Sequence, residues 1–260
     1  MLNNRLTQLF KNHPQDNLAV YFTAGYPQLT DTQAILEALE ENKVNIIEIG
    51  MPFSDPVADG EVIQMSNQQA LQNGMTIIKM FEQIQNLREK ISIPVVLMGY
   101  LNPVMQFGIE KFCQKAAQVG IDGVILPDLP LQEYLDEYKP IFEKNNLSNI
   151  CLITPQTADE RIRLIDDNTD GFIYAVSSSS TTGSTKGISD SQIAYFERIK
   201  ALHLKNPFMI GFGISDKESY QRACTYANGA IIGSAFIKTL QNSQNLKSDI
   251  QNFVHSIREI

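Results

Sequence analysis

Two carboxylates and a set of glycines are the residues of this chain best suited to chemistry. Glu48 stands in the run Ile46-Ile47-Glu48-Ile49-Gly50, so a carboxylate is embedded in a segment that otherwise demands burial. Withdrawing an unpaired carboxylate from water is costly and raises its pKa. A carboxyl group in that condition holds a proton near neutral pH and can pass it on. The alternative is a structural Glu, paired with a Tyr or Thr hydroxyl on a neighbouring strand or with water. Asp59 follows in the loop 51–60, near a second acid, Asp55, and beside Gly60. Asp beside Gly is a common turn pair. Together with Glu48, however, it supplies a second carboxylate in a different environment, and environments that push two pKa values apart assign acid and base roles. The glycines are Gly183 in a Ser/Thr-rich loop, the pair flanking Phe212 at Gly211 and Gly213, and Gly233 before Ser234. Glycine lets backbone N–H groups approach phosphate oxygens, and a helix opening at Ser234 adds the positive end of its dipole. Turn glycines are the plainer reading of the same residues.

Absences narrow the chemistry further. No Lys lies inside an apolar run, which disfavours a Schiff base. His13, His203 and His255 fall before the first run or in helical segments, away from where a general base or zinc ligand would be needed. Cys113, Cys151 and Cys224 are odd in number, widely spaced and without a CxxC pair, as expected of reduced thiols. No GxGxxG follows the first run, so a dinucleotide site has no support.

Positioning these groups requires a scaffold, and its pattern is regular. Apolar runs occupy 18–24, 44–50, 94–98, 123–126, 149–153, 171–176, 207–211 and 229–233. They are continuous rather than alternating, as in parallel strands buried on both faces. Amphipathic segments at 30–43, 77–90, 109–119, 131–144, 159–166, 191–204, 217–226 and 235–257 separate or follow them, and a helix at about 3–11 precedes the first. The chain of 260 residues is 43% hydrophobic and 19% charged, which excludes a disordered chain. Its length suits one (β/α) barrel of about 250 residues. An open doubly wound sheet is the competing fold, but it lacks its fingerprint here. Active sites of such barrels lie where the strands end. Besides Glu48 and Asp59, the strand ends carry Thr23, Tyr100, Asn102, Asp128, Thr154, Tyr174 and Ser177.

The formal net charge of -8 disfavours nucleic acid or an anionic membrane surface as the main partner. No apolar run reaches the ~18 residues of a membrane span. The first residues do not form a signal peptide, so a cytoplasmic protein is expected.

The segments YFTAGYP (21–27), IIEIGMPFSDPVADG (46–60), LPDLP (126–130), GFGIS (211–215) and IIGSA (231–235) resemble the tryptophan synthase α-subunit family, over about residues 3–257. The resemblance implies a single (β/α)8 TIM barrel over 1–260 with an extra N-terminal helix. It implies a lyase of L-tryptophan biosynthesis that cleaves indole-3-glycerol phosphate to indole and D-glyceraldehyde 3-phosphate. The expected partner is the tryptophan synthase β subunit, in an αββα heterotetramer, which receives the indole. No cofactor or metal is expected in this chain; pyridoxal phosphate belongs to the β subunit. By the same resemblance Glu48 transfers the proton, Asp59 meets the indole N–H and Tyr174 helps to orient Asp59. Phe22, Ile125, Ile153 and Phe212 line the indole pocket. Gly183, Gly213, Gly233 and Ser234 cradle the phosphate, with Thr182 beside Gly183 matching the family's sixth loop. Ser178 and Ser180 stand where that loop commonly has Arg and Gly, a departure that bears on how it closes. The loops carrying Pro52, Asp55 and Pro56, and Asn102, Pro103 and Met105, form the face expected to dock on the β subunit. Two other readings remain: a silent barrel that only activates a partner, and a phosphosugar isomerase. The isomerase often needs an Asp at the end of the first strand, where this chain has Thr23.

Overall fold

Among the described residues nine short parallel strands form one sheet: β1 (Asn17–Thr23), β2 (Ile46–Gly50), β3 (Val95–Met98), β4 (Gly123–Ile125), β5 (Ser148–Ile150), β6 (Leu152–Ile153), β7 (Ile173–Val176), β8 (Phe208–Gly211) and β9 (Gly229–Ile232). The structure is a computed structural model and describes residues 2–176, 189–211 and 213–258. The strands are ordered β5-β4-β3-β2-β1-β9-β8-β7-β6. The two ends of that order are adjacent in the chain, separated only by Cys151. The Cys151 carbonyl accepts the N–H of Tyr174 at 3.0 Å. One strand therefore changes partner midway, pairing with β4 before Cys151 and with β7 after it. The sheet closes through that strand, so the nine segments fill the eight positions of a (β/α)8 barrel. The fifth expected run is thus two strands rather than one.

Between the strands lie helices whose buried residues recur at helical spacing. Ile109–Val119 buries Phe112, Cys113, Ala116 and Val119, a single stripe facing the sheet. It stops at Gly120, whose φ of 91° is left-handed and costs glycine little. Three expected helices differ in detail. The segment 77–90 divides into Ile77–Gln83 and Leu87–Lys90, and 235–257 divides into Ser234–Gln241 and Leu246–Ile257. A new start at Asn245, whose side chain accepts from the Ser248 N–H, explains the second division. The segment 131–144 contains a π-helical turn at Tyr134–Tyr138 ahead of Pro140. Proline has no N–H, and its ring crowds the carbonyl four residues back, so the ladder widens there. Two further helices, Glu61–Gln72 and Leu101–Phe107, follow β2 and β3.

The expected N-terminal helix runs over Arg5–Asn12, with Asn4 and Thr7 forming a capping box. It is tied to the N-terminal side of the barrel. Asn4 donates to the Asp122 carbonyl at 2.9 Å, and the buried Asp122 carboxylate accepts from Arg88 at 2.6 Å and Arg5 at 3.2 Å. The strand ends at the opposite side remain for the site.

Candidate active site

Strand register decides which side chains share the barrel interior. Neighbours in register point the same way, and successive residues alternate. Tyr21 of β1 is in register with Glu48 of β2, and Glu48 with Val96 of β3. Burial holds the pKa of Tyr174, on β7, well above its usual value, and Glu48, Asp59 and Tyr21 are close enough to raise it further. Only the barrel interior lets side chains on β7, β1 and β2 interact in that way. Gly50 and Gly211 provide the room. A Cβ on Gly50 would lie 2.1 Å from the Tyr21 hydroxyl, and one on Gly211 would lie 2.3 Å from that of Tyr174.

Glu48 is fully buried, and among the described residues neither carboxylate oxygen has a hydrogen-bond partner. No Tyr or Thr hydroxyl of the described residues satisfies it. Burial alone pushes its pKa from 4.5 up to about 8, so the carboxyl is neutral at pH 7. Asp59 is also buried, while Asp55 in the same loop is exposed. Burial raises the Asp59 pKa to about 6, against the opposing pull of a hydrogen bond from Tyr100. The Tyr100 hydroxyl donates to Asp59 Oδ2 at 3.2 Å and accepts from the Ala58 N–H at 2.9 Å. It thus fixes the carboxylate and its loop together. At pH 7 the two buried carboxyl groups are in opposite states: Glu48 holds its proton and Asp59 does not. Both states are needed wherever one group must donate a proton and the other must face a cation.

Other expected site residues divide by position. Ile125 is in register with Met98, which is in register with Gly50, so it shares the inward face. Phe22 is in register with Ile49 and points away from Glu48. The inward aromatic of this strand is Tyr21, one residue earlier, because a strand side chain changes face at every step. Ile153 is in register with Ala175, whereas Leu152 matches Tyr174; Leu152 therefore takes the inward direction at that level. Gly213 follows β8 with φ 79°, a left-handed conformation. Gly233 follows β9 and precedes Ser234, the first residue of Ser234–Gln241, and no side chain caps that helix. Its first N–H groups thus face the same end of the barrel as the carboxylates. Thr182, Gly183 and Phe212, with Ser177, Ser178 and Ser180, lie outside the described residues.

In the sequence Tyr100 is a strand-end residue with no evident role, and Tyr21 carries no mark of a site residue. Alternation counted back from the strand end at Thr23 is the signal that could have found Tyr21. At the mouth, Val57 is 83% and Met105 51% exposed, so the loop after β2 and the helix after β3 present apolar side chains to solvent. Among the described residues no group of three His, Cys, Asp or Glu side chains could hold a metal ion, and no helix is long and apolar enough to cross a membrane.

Comparison with known proteins adds a family to this geometry. A family model described as tryptophan synthase alpha chain matches residues 7–260. A relative of that name from Flavobacterium johnsoniae is 57% identical over 255 residues, covering 98% of this chain and 100% of the relative. Another, from Bacteroides thetaiotaomicron, is 51% identical over 242 residues, covering 93% and 94%. Among solved structures, a mutant tryptophan synthase alpha-subunit from the hyperthermophile Pyrococcus furiosus is 34% identical with a TM-score of 0.86, covering 95% of this chain and 99% of its own. Tryptophan synthase from Mycobacterium tuberculosis is 28% identical with a TM-score of 0.88, covering 98% and 96%.

Proposed function

Since the chain belongs to the tryptophan synthase alpha chain family, we propose that its two buried carboxyl groups perform the α reaction of that enzyme. The reaction is the aldol cleavage of indole-3-glycerol phosphate to indole and D-glyceraldehyde 3-phosphate, a step of L-tryptophan biosynthesis. The observation that carries the assignment of roles is Glu48, fully buried with no hydrogen-bond partner among the described residues.

The chemistry follows from the two protonation states. Neutral Glu48 gives its proton to C3 of the indole, which leaves the ring cationic with the charge centred on nitrogen. Ionised Asp59, held by Tyr100, accepts the ring N–H and offsets that charge. Glu48, now a carboxylate, takes the proton of the hydroxyl on the carbon next to the ring. The oxygen's electrons form the aldehyde, the carbon–carbon bond breaks and its electron pair restores the aromatic indole. Glu48 ends protonated, as it began. Tyr174 closes the interior beside both groups. Ile125 and the inward side chains Tyr21 and Leu152 support an apolar wall for the ring, with Phe212 as a further candidate. The backbone N–H groups at Gly213, Gly233 and Ser234, with Thr182 and Gly183, are the proposed phosphate cradle, where a helix N-terminus favours an anion without a cationic side chain.

Residues 1–260 act as one barrel domain in the cytoplasm, with no cofactor of its own. The partner is the β subunit, with which the chain forms an αββα heterotetramer. Pyridoxal phosphate belongs to that subunit. The exposed Val57 and Met105 at the mouth suit the docking face, so that indole leaves the barrel directly into the partner. Indole release from indole-3-glycerol phosphate, measured for the chain alone and with its β subunit, tests this. Activity that rises with the β subunit is the expected result. Absence of cleavage in both conditions would leave a silent, partner-activating barrel.

A further inference from the structure

Tyr21 spans the two ends of the site. Its Cδ1 lies 3.5 Å from where a Cβ on Gly233 would stand, at the helix N-terminus. Its hydroxyl lies beside Gly50, on the inward face it shares with Glu48. Glu48, Asp59 and Tyr100 all act on that hydroxyl electrostatically. A substrate with its ring at the carboxylates and its phosphate at Gly233 must run its three-carbon chain past this side chain.

The hydroxyls beside it form a relay. Ser66, on the helix Glu61–Gln72, lies 2.8 Å from the Ile63 carbonyl, which only accepts, and 2.7 Å from Thr23 Oγ1. When Ser66 gives its proton to that carbonyl, Thr23 donates to Ser66, and Thr23 Oγ1 is left to accept from the Tyr21 hydroxyl, 3.4 Å away. In that arrangement the phenol oxygen presents its lone pairs to the rest of the site. Thr23 and Ser66 are both fully buried, so water does not compete for this chain of hydroxyls.

We propose that the Tyr21 oxygen accepts a hydrogen bond from the non-reacting hydroxyl of the substrate's three-carbon chain, making Tyr21 a specificity residue for the glycerol portion. The proposal rests on the function proposed above. The reacting hydroxyl must face Glu48, which leaves the middle one, between ring and phosphate, to meet the phenol oxygen. Relative to an apolar ring, the phenol adds one oxygen, an acceptor toward the substrate and a donor toward Thr23.

The test is a cycle of two enzymes and two substrates. Wild type and Tyr21→Phe are assayed for cleavage of indole-3-glycerol phosphate and of its analogue lacking only the middle hydroxyl. One neutral hydrogen bond predicts that Tyr21→Phe lowers kcat/KM about 3- to 10-fold for the natural substrate. It should change the rate with the deoxy analogue by less than about twofold, because the partners are removed together. Thr23→Val, which keeps the phenol but frees its proton, should give a smaller loss confined to the natural substrate. Equal losses on both substrates would mean a packing role and overturn the proposal, as would no loss on either. Failure of the wild type to cleave the natural substrate would instead refute the proposed function.

Discussion

Replacing Glu48 by Gln should make the protein more stable while removing its activity, and the gain should depend on pH in a defined way. Burial raises the Glu48 pKa from 4.5 to about 8 in the folded state. Between those values the folded protein holds a proton that the unfolded chain releases. Unfolding is then favoured by rising pH, so stability is full below about pH 4.5 and is lost progressively up to about pH 8. At about 1.4 kcal/mol per unit, the loss is roughly 3 kcal/mol at pH 7 and roughly 5 kcal/mol above pH 8. Gln has a similar shape and no such titration. The difference in unfolding free energy between Glu48→Gln and wild type should therefore be near zero at pH 4.5 and grow to several kcal/mol at pH 8.5. Taking the difference cancels every other titrating group. Urea unfolding followed by far-ultraviolet circular dichroism suits a chain with no Trp. In parallel, indole formation should fall by about 100- to 10,000-fold, the usual worth of general acid–base catalysis. A stability difference that does not change with pH would mean that Glu48 is already ionised in the folded state and that burial does not hold its proton.

Three further outcomes follow from the same geometry. The pH profile of kcat/KM should be bell-shaped, rising through about 6 as Asp59 ionises and falling through about 8 as Glu48 loses its proton; a flat profile across that window would contradict the split roles. Tyr100→Phe removes the hydrogen bond that holds the Asp59 pKa down. The acidic limb should move to higher pH, with roughly 3- to 10-fold lower activity at pH 7, and an unmoved limb would assign Tyr100 to packing alone. Gly213→Val should destabilise the protein by about 1–2 kcal/mol because φ is 79°. Gly233→Ala, with φ -116° and no contact under 3.5 Å for the added Cβ, should stay within about 0.5 kcal/mol of wild type; equal thermal unfolding of the two variants would contradict this.

Much of the scaffold was legible because a buried parallel strand leaves an unambiguous mark. The runs at 94–98, 123–126 and 229–233 coincide with β3, β4 and β9 to within a residue or so. The break at Cys151 left no such mark, since both halves are apolar and the change of partner is a property of closure. The helix Glu61–Gln72 was missed because its buried face includes Ser66 and Asn67 beside Ile63 and Ala70, which breaks the hydrophobic period. The burial of Glu48 was legible in its string of Ile residues; that of Asp59 was not, since Asp55 in the same loop is exposed. The wall of the site was harder. Phe22 and Tyr21 are adjacent aromatics, and only the register with Glu48 tells which one faces inward. The grip of Tyr100 on Asp59 joins residues 41 apart, a distance no local pattern reports.

The proposed chemistry requires Glu48 to be neutral and Asp59 ionised in the resting site at pH 7. Infrared difference spectra between wild type and Glu48→Gln, recorded from pH 5 to pH 10, measure it directly. A protonated-carboxyl C=O band should be present in wild type at pH 7, absent in the variant, and lost as the pH passes through about 8. A Glu48 that shows only carboxylate bands at pH 7 would contradict it.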